Sequence, residues 1–236
     1  MKQNETLLNT LLNNIDISDD EAEQAGDDHI FTGIETPMRA GAFDMSDAEK
    51  ISNIAYHFAE IMNTLGLDLE DDSLKGTPKR VAKMYVKEIF SGLNPENKPK
   101  IALFDNKYKY DQMLVERDIS LFSNCEHHFV PIYGKAHVAY ISNGSVIGLS
   151  KLNRIVQYFA QRPQVQERLT MQIGRELQEI LQTSDVAVVI DARHMCVSTR
   201  GIKDAGSSTV TAFYDGRFLN DKTKNEFLTY LGMNNE

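Results

Sequence analysis

Cys125-Glu126-His127-His128 and His194-Met195-Cys196 hold both cysteines of this 236-residue chain and three of its six histidines. Thiolate and imidazole are ligands that suit Zn²⁺. A Cys and a His three residues apart can grip one ion from a single turn, and a distant Cys can add a third ligand. That leaves a fourth position for water, the ligand count of a catalytic zinc site, not a closed structural one. Two cysteines can also be inert buried thiols or a Cys125–Cys196 disulfide. The flanking histidines favour metal. Cys125, His128 and Cys196 would hold the ion, leaving His127 and His194 for proton transfer. Zinc lowers the pKa of bound water to around 7, so the chemistry expected is hydrolytic attack on an electrophilic carbon.

A substrate for such a centre needs a cradle. Ser150-Lys151-Leu152-Asn153-Arg154 reads as a helix start, where free backbone N–H groups and the helix dipole favour an anion. Lys151 and Arg154 add charge one turn apart. Arg80 and Lys83 share a helical face and read either as a solvated pair or as a phosphate clamp. Glu167 in Gln161-Arg162-Pro163-Gln164-Val165-Gln166-Glu167-Arg168 sits in the first turn of a helix. It is either an acid complementing the dipole or a carboxylate that accepts two N–H donors from a base edge. No Gly-x-x-x-x-Gly-Lys-Ser/Thr occurs, which excludes a P-loop nucleotidase. His57, in a helix, and His137, in a strand, read as structural.

The elements that must position these groups follow from periodicity. Ser46 and Glu49 form a capping box, and Ile51, Ile54, Ala55, Phe58, Ile61, Met62 and Leu65 recur at helical spacing before Gly66. Thr77-Pro78 opens a second helix that Gly92 ends. Residues 113–122 and 132–141 read as strands, followed by an Asn143-Gly144 turn. Ser150 caps a third helix and Pro163 begins a fourth. Residues 186–200 and 207–213 return to strand character. Alternation along 186–200 would put His194, Cys196, Ser198 and Arg200 on one face. The order implies an α+β fold with a small antiparallel sheet and helices on one face. Its two open edges lead us to expect strand pairing between subunits.

Apolar content of 42% and charged content of 25% fit an ordinary globular protein. The net charge of −9 argues against polymeric nucleic acid as a partner. No apolar run is long enough to span a bilayer. The N-terminus lacks the pattern of a signal peptide, so the cytoplasm is expected. Residues 1–45 read as an acidic, partly disordered extension, with Leu7, Leu8, Leu11 and Leu12 allowing a short amphipathic helix. Residues 46–100 read as a helical region and 101–236 as the catalytic domain.

Long ordered motifs resemble GTP cyclohydrolase I. They are Ser123-Asn124-Cys125-Glu126-His127-His128-Phe129, Gly148 to Arg154, Gln161 to Thr170, His194-Met195-Cys196-Val197, and Thr77-Pro78-Lys79-Arg80-Val81-Ala82-Lys83-Met84. The likeness runs from about residue 47 to about residue 230. It implies the tunnelling fold, in which subunit sheets join into a barrel, and a homodecamer of two pentamers with sites at subunit interfaces. It implies Zn²⁺ on Cys125, His128 and Cys196, and His127 and His194 as acid/bases at N7 and the ribose ring oxygen. Zinc-activated water would attack C8 of GTP, releasing formate and giving 7,8-dihydroneopterin triphosphate on the route to tetrahydrofolate and other pterins. Glu167, with Gln166 nearby, would recognise the guanine edge. Ser150, Lys151, Arg154 and Arg200 would meet ribose and triphosphate, joined by Arg80 from a neighbouring subunit.

Overall fold

The computed structural model describes residue 18 and residues 33–232. Residues 1–17 and 19–32 of the acidic extension, including the leucines expected to form its helix, therefore lie outside the described residues. Helix α1, Asp47–Thr64, begins at the expected capping box. Ser46 Oγ accepts the Glu49 N–H, and Glu49 accepts the Ser46 N–H at 2.8 Å. Helix α2, Thr77–Met84, has Pro at its start and packs against α1. It then widens into a π-helical turn, Tyr85–Ile89.

Strands β1, Leu103–Asp105, and β4, Ser145–Ile147, form a two-stranded ribbon. The main sheet runs β5-β2-β3-β6-β7, where β2 is Met113–Cys125, β3 Pro131–Ile141, β5 Pro163–Gln164, β6 Val186–His194 and β7 Thr209–Tyr214. Four of its strands are antiparallel neighbours, as expected. The two residues of β5 pair in parallel with Asn124 and Cys125, so the sheet is mixed. A bulge interrupts β2 between Glu116 and Ile119. There Asp118 takes φ +60° and donates its N–H to His137 Nδ1 at 3.1 Å.

Helix α3, Leu149–Ala160, and helix α4, Gln166–Leu181, cover one face. Their apolar stripes meet the inward residues of the strands. Leu152, Ile155, Leu169, Ile173 and Leu177 are fully buried against Leu121, Ala136, Val138, Val188 and Ile190. Each such side chain contributes about 1.5–3 kcal/mol of transfer free energy. The alternate residues Ala139, Ile141, Ala187 and Val189 point the other way, against Phe218 and Phe227. Phe227 lies on helix α6, Asp221–Gly232, so helices occupy both faces, not one.

Two helix starts differ from expectation. Helix α3 begins at Leu149 after Gly148, so Ser150 sits inside the first turn and caps nothing. Pro163 lies in β5, and α4 starts at Gln166 after an extended Val165. In both cases the chain is held by strand pairing next to the helix, and helix-start chemistry alone does not show that.

Candidate active site

The metal motif occupies the end of β2 and a tight turn. Cys125 accepts the Phe129 N–H at 2.9 Å and donates its own N–H to Val130 at 2.9 Å. Phe129 takes φ +53°, and its ring meets Phe90 edge-on at 5.1 Å between centroids. This turn folds His128 back over Cys125, with Nδ1 3.9 Å from Cys125 Sγ.

Cys196 arrives from the neighbouring strands. Ile132 pairs with His194, but β3 begins at Pro131, so β6 has no partner further on. The chain turns at once into a short helix α5, Met195–Ser198, where a continuing strand was expected. The Ser198 and Thr199 hydroxyls bond back to the His194 and Met195 carbonyls at 3.1 and 2.7 Å. His194, Cys196, Ser198 and Arg200 therefore do not lie on one face by strand alternation; a helical turn carries Cys196 to the metal motif.

Ligand atoms of Cys125, His128 and Cys196 lie within 4.8 Å of one another. Tetrahedral zinc, with Zn–S about 2.3 Å and Zn–N about 2.0 Å, needs its ligand atoms roughly 3.5–3.8 Å apart. The donor set and its spacing fit zinc. Burial and the nearby Cys125 sulfur push the Cys196 thiol up, the situation a bound cation reverses. Arg200 Nη1 lies 2.6 Å from His128 Nε2. A guanidinium only donates, so there Nε2 accepts and Nδ1 carries the proton. A metal on Nδ1 moves that proton to Nε2, so the arginine contact and the metal bond exclude each other.

His127 has Nδ1 3.6 Å from Cys125 Sγ and Nε2 3.7 Å from a Glu126 carboxylate oxygen. Glu126 is itself gripped by both terminal nitrogens of Arg168, whose side chain is only 3% exposed. Neither member of this pair is evident from the sequence, because the two lie 42 residues apart. Burial lowers the His194 pKa below its usual value, and the Glu167 carboxylate pulls it back up. His194 Nε2 contacts Gln166 Oε1 at 2.8 Å.

Glu167 is exposed in the first turn of α4, at the same end of the sheet as the metal triad. The basic motif is elsewhere. Asn153 of α3 bonds Glu116, eight positions before Asn124 on β2. That interval of strand spans roughly 20–25 Å, allowing for the bulge. Lys151 donates to Lys100 O at 3.0 Å, while Ser150 and Arg154 are exposed. Arg80 donates to Ser73 O at 3.2 Å and Thr77 Oγ1 at 3.0 Å. Among the described residues no hydrogen bond or ion pair joins these basic groups to the triad.

Two thiols and an imidazole that could hold one metal ion, with two further histidines next to them in the chain, mark the end of an α+β sheet as a candidate metal centre. The GTP cyclohydrolase I family model matches residues 54–232. A GTP cyclohydrolase 1 of Flavobacterium johnsoniae is 58% identical over 219 residues, covering 93% of this chain and 98% of the relative. That of Escherichia coli strain K12 / DH10B is 59% identical over 197 residues, covering 83% and 89%. The chain belongs to the GTP cyclohydrolase I family.

Proposed function

We propose that this chain hydrolyses GTP to 7,8-dihydroneopterin triphosphate and formate, the first step of pterin and tetrahydrofolate synthesis. The observation that carries this is the convergence of Cys125, His128 and Cys196 within 4.8 Å, with His127 against Cys125 and His194 two residues before Cys196. Zinc, when held by that triad, supplies a Lewis acid that makes water nucleophilic near neutral pH. The remaining work falls to the chain. His127 and His194 move protons at N7 and at the ribose ring oxygen while the imidazole ring opens and the ribose rearranges. Glu167 accepts the N1–H and N2–H₂ donors of guanine, while the neighbouring Gln166 has its amide engaged inside the protein. Adenine lacks those donors, so it would cover the Glu167 carboxylate without pairing it, and a polar group taken out of water unpaired costs at least about 1–3 kcal/mol. Ser150, Lys151, Arg154, Arg200 and Arg80 hold ribose and triphosphate.

The separation of the basic motif from the triad supports an oligomer. A subunit that cannot fold its own Ser150–Arg154 segment onto its own metal end can offer it to a neighbour. The open edge of β7 suits strand addition by a second copy. A ring of subunits, paired into a decamer, meets both requirements. No helix among the described residues is long and apolar enough to cross a membrane.

The assay is formate release with a fluorescent pterin after oxidation. His127→Ala keeps zinc and loses turnover, whereas Cys196→Ala loses zinc itself. An oligomeric, zinc-loaded preparation that binds GTP and yields neither product refutes the reading.

A further inference from the structure

Gln166 is 1% exposed, and both ends of its side-chain amide are engaged. Its amide nitrogen lies 3.1 Å from Ile190 O, 2.8 Å from Thr209 O and 3.1 Å from Thr211 Oγ1. Carbonyl oxygens only accept, so the NH₂ end must face them. Turning the amide over would set its oxygen against two carbonyls at hydrogen-bond distance. The orientation is therefore decided by chemistry, and Oε1 faces His194 Nε2 at 2.8 Å. Thr170 reinforces the arrangement by donating to the Gln166 carbonyl at 2.7 Å and meeting Thr211 Oγ1 at 2.6 Å.

An amide oxygen accepts and never donates, so His194 Nε2 must carry a hydrogen. In the neutral ring Nδ1 is then bare, and among the described residues it has no hydrogen-bond partner. We infer that Gln166 is a positioning residue that holds His194 with Nε2–H inward, leaving Nδ1 as the nitrogen that exchanges protons with substrate. The inference rests on the proposed role of His194 as an acid/base. It also separates Gln166 from Glu167: adjacent in sequence, one orients a histidine and the other faces the ligand. A ring held by one well-fixed bond loses neither tautomer nor direction between turnovers.

The test uses full-length, zinc-loaded protein labelled with ¹⁵N at histidine, the His194 signals being assigned by their loss in His194→Ala. The neutral ring should show a protonated Nε2 and a bare Nδ1; the opposite tautomer overturns the inference. Gln166→Met, of similar length but without acceptor or donors, should keep zinc and oligomer size. Its kcat should fall about 10- to 100-fold with KM within about twofold, as for a misplaced catalytic group. A raised KM with kcat retained would make Gln166 a substrate contact and overturn the inference, as would unchanged kinetics. If Gln166→Met does not assemble, the spectrum of the unaltered protein still decides. Absence of GTP hydrolysis in the unaltered protein would defeat the proposed function without touching the tautomer result.

Discussion

Replacing Arg168 with Met removes one partner from a buried ion pair and leaves the other in place. Glu126 would keep its carboxylate between the metal ligand Cys125 and His127 with its guanidinium gone. Breaking a buried pair from one side costs about 3–5 kcal/mol. The Glu126 side chain is 18% exposed, against 3% for Arg168, so water can reach the stranded carboxylate. That places the loss near the lower bound, about 3 kcal/mol. For a chain of this size each 1 kcal/mol lowers Tm by about 2–4 °C, so the drop should be about 6–12 °C. Melting must be followed at one protein concentration, because assembly shifts Tm by mass action. The double variant Glu126→Gln/Arg168→Met should recover at least about 1 kcal/mol over Arg168→Met alone, because the uncompensated charge is gone. An Arg168→Met protein within about 0.5 kcal/mol of its parent would refute the reasoning. So would a double variant no more stable than the single one.

Gly92 donates its N–H to Gln161 O at 2.9 Å and accepts from Arg162 Nε at 2.9 Å. A Cβ there would lie 2.9 Å from Gln161 O and closer still to Tyr158 O, both backbone atoms. Gly92→Ala should therefore give insoluble or misfolded protein, and soluble protein at normal yield with the parent's size in solution would show that this backbone can move. His137 is half-buried, and burial lowers its pKa below 6.5; Asp118 and Asp191 oppose the shift, while Lys135 and Arg117 add to it. The unfolded chain then takes up the proton first as pH falls below about 6.5, so stability declines on acidification and rises with pH through that window. His137→Asn retains an acceptor for the Asp118 N–H without a titrating ring. Its urea midpoint should change less between about pH 7.5 and 5.5 than that of the parent, and equal changes would exclude His137 as a source.

What the chain reveals by itself is what local chemistry encodes. The capping box at Ser46, the Pro at the start of α2 and the strand runs of β2 and β3 each depend on residues within a few positions, and the structure has them where the pattern puts them. The Cys–His pairs are legible for the same reason, since a single turn gathers Cys125 and His128. The reach of β6 is not legible, because a strand stops where its partner stops, and the partner is set by Pro131, more than sixty residues earlier. Nor does α4's sequence reveal that Arg168 serves Glu126 or that Gln166 serves His194. A buried polar residue on a helix looks the same whether it faces a carbonyl, a carboxylate or a ligand. Only packing distinguishes them.

The distance along β2 between the metal end and the basic helix start has a genetic consequence. On the proposed reading, each working centre draws its triad from one subunit and Lys151 from another. A Cys196→Ala chain then keeps an intact basic half, and a Lys151→Ala chain keeps an intact metal half. Each homo-oligomer alone is inactive. Random co-assembly of equal amounts would place two sound halves together in about a quarter of the centres. Two defective alleles of this gene would thus complement each other in one cell, whereas two alleles damaged in the same half would not.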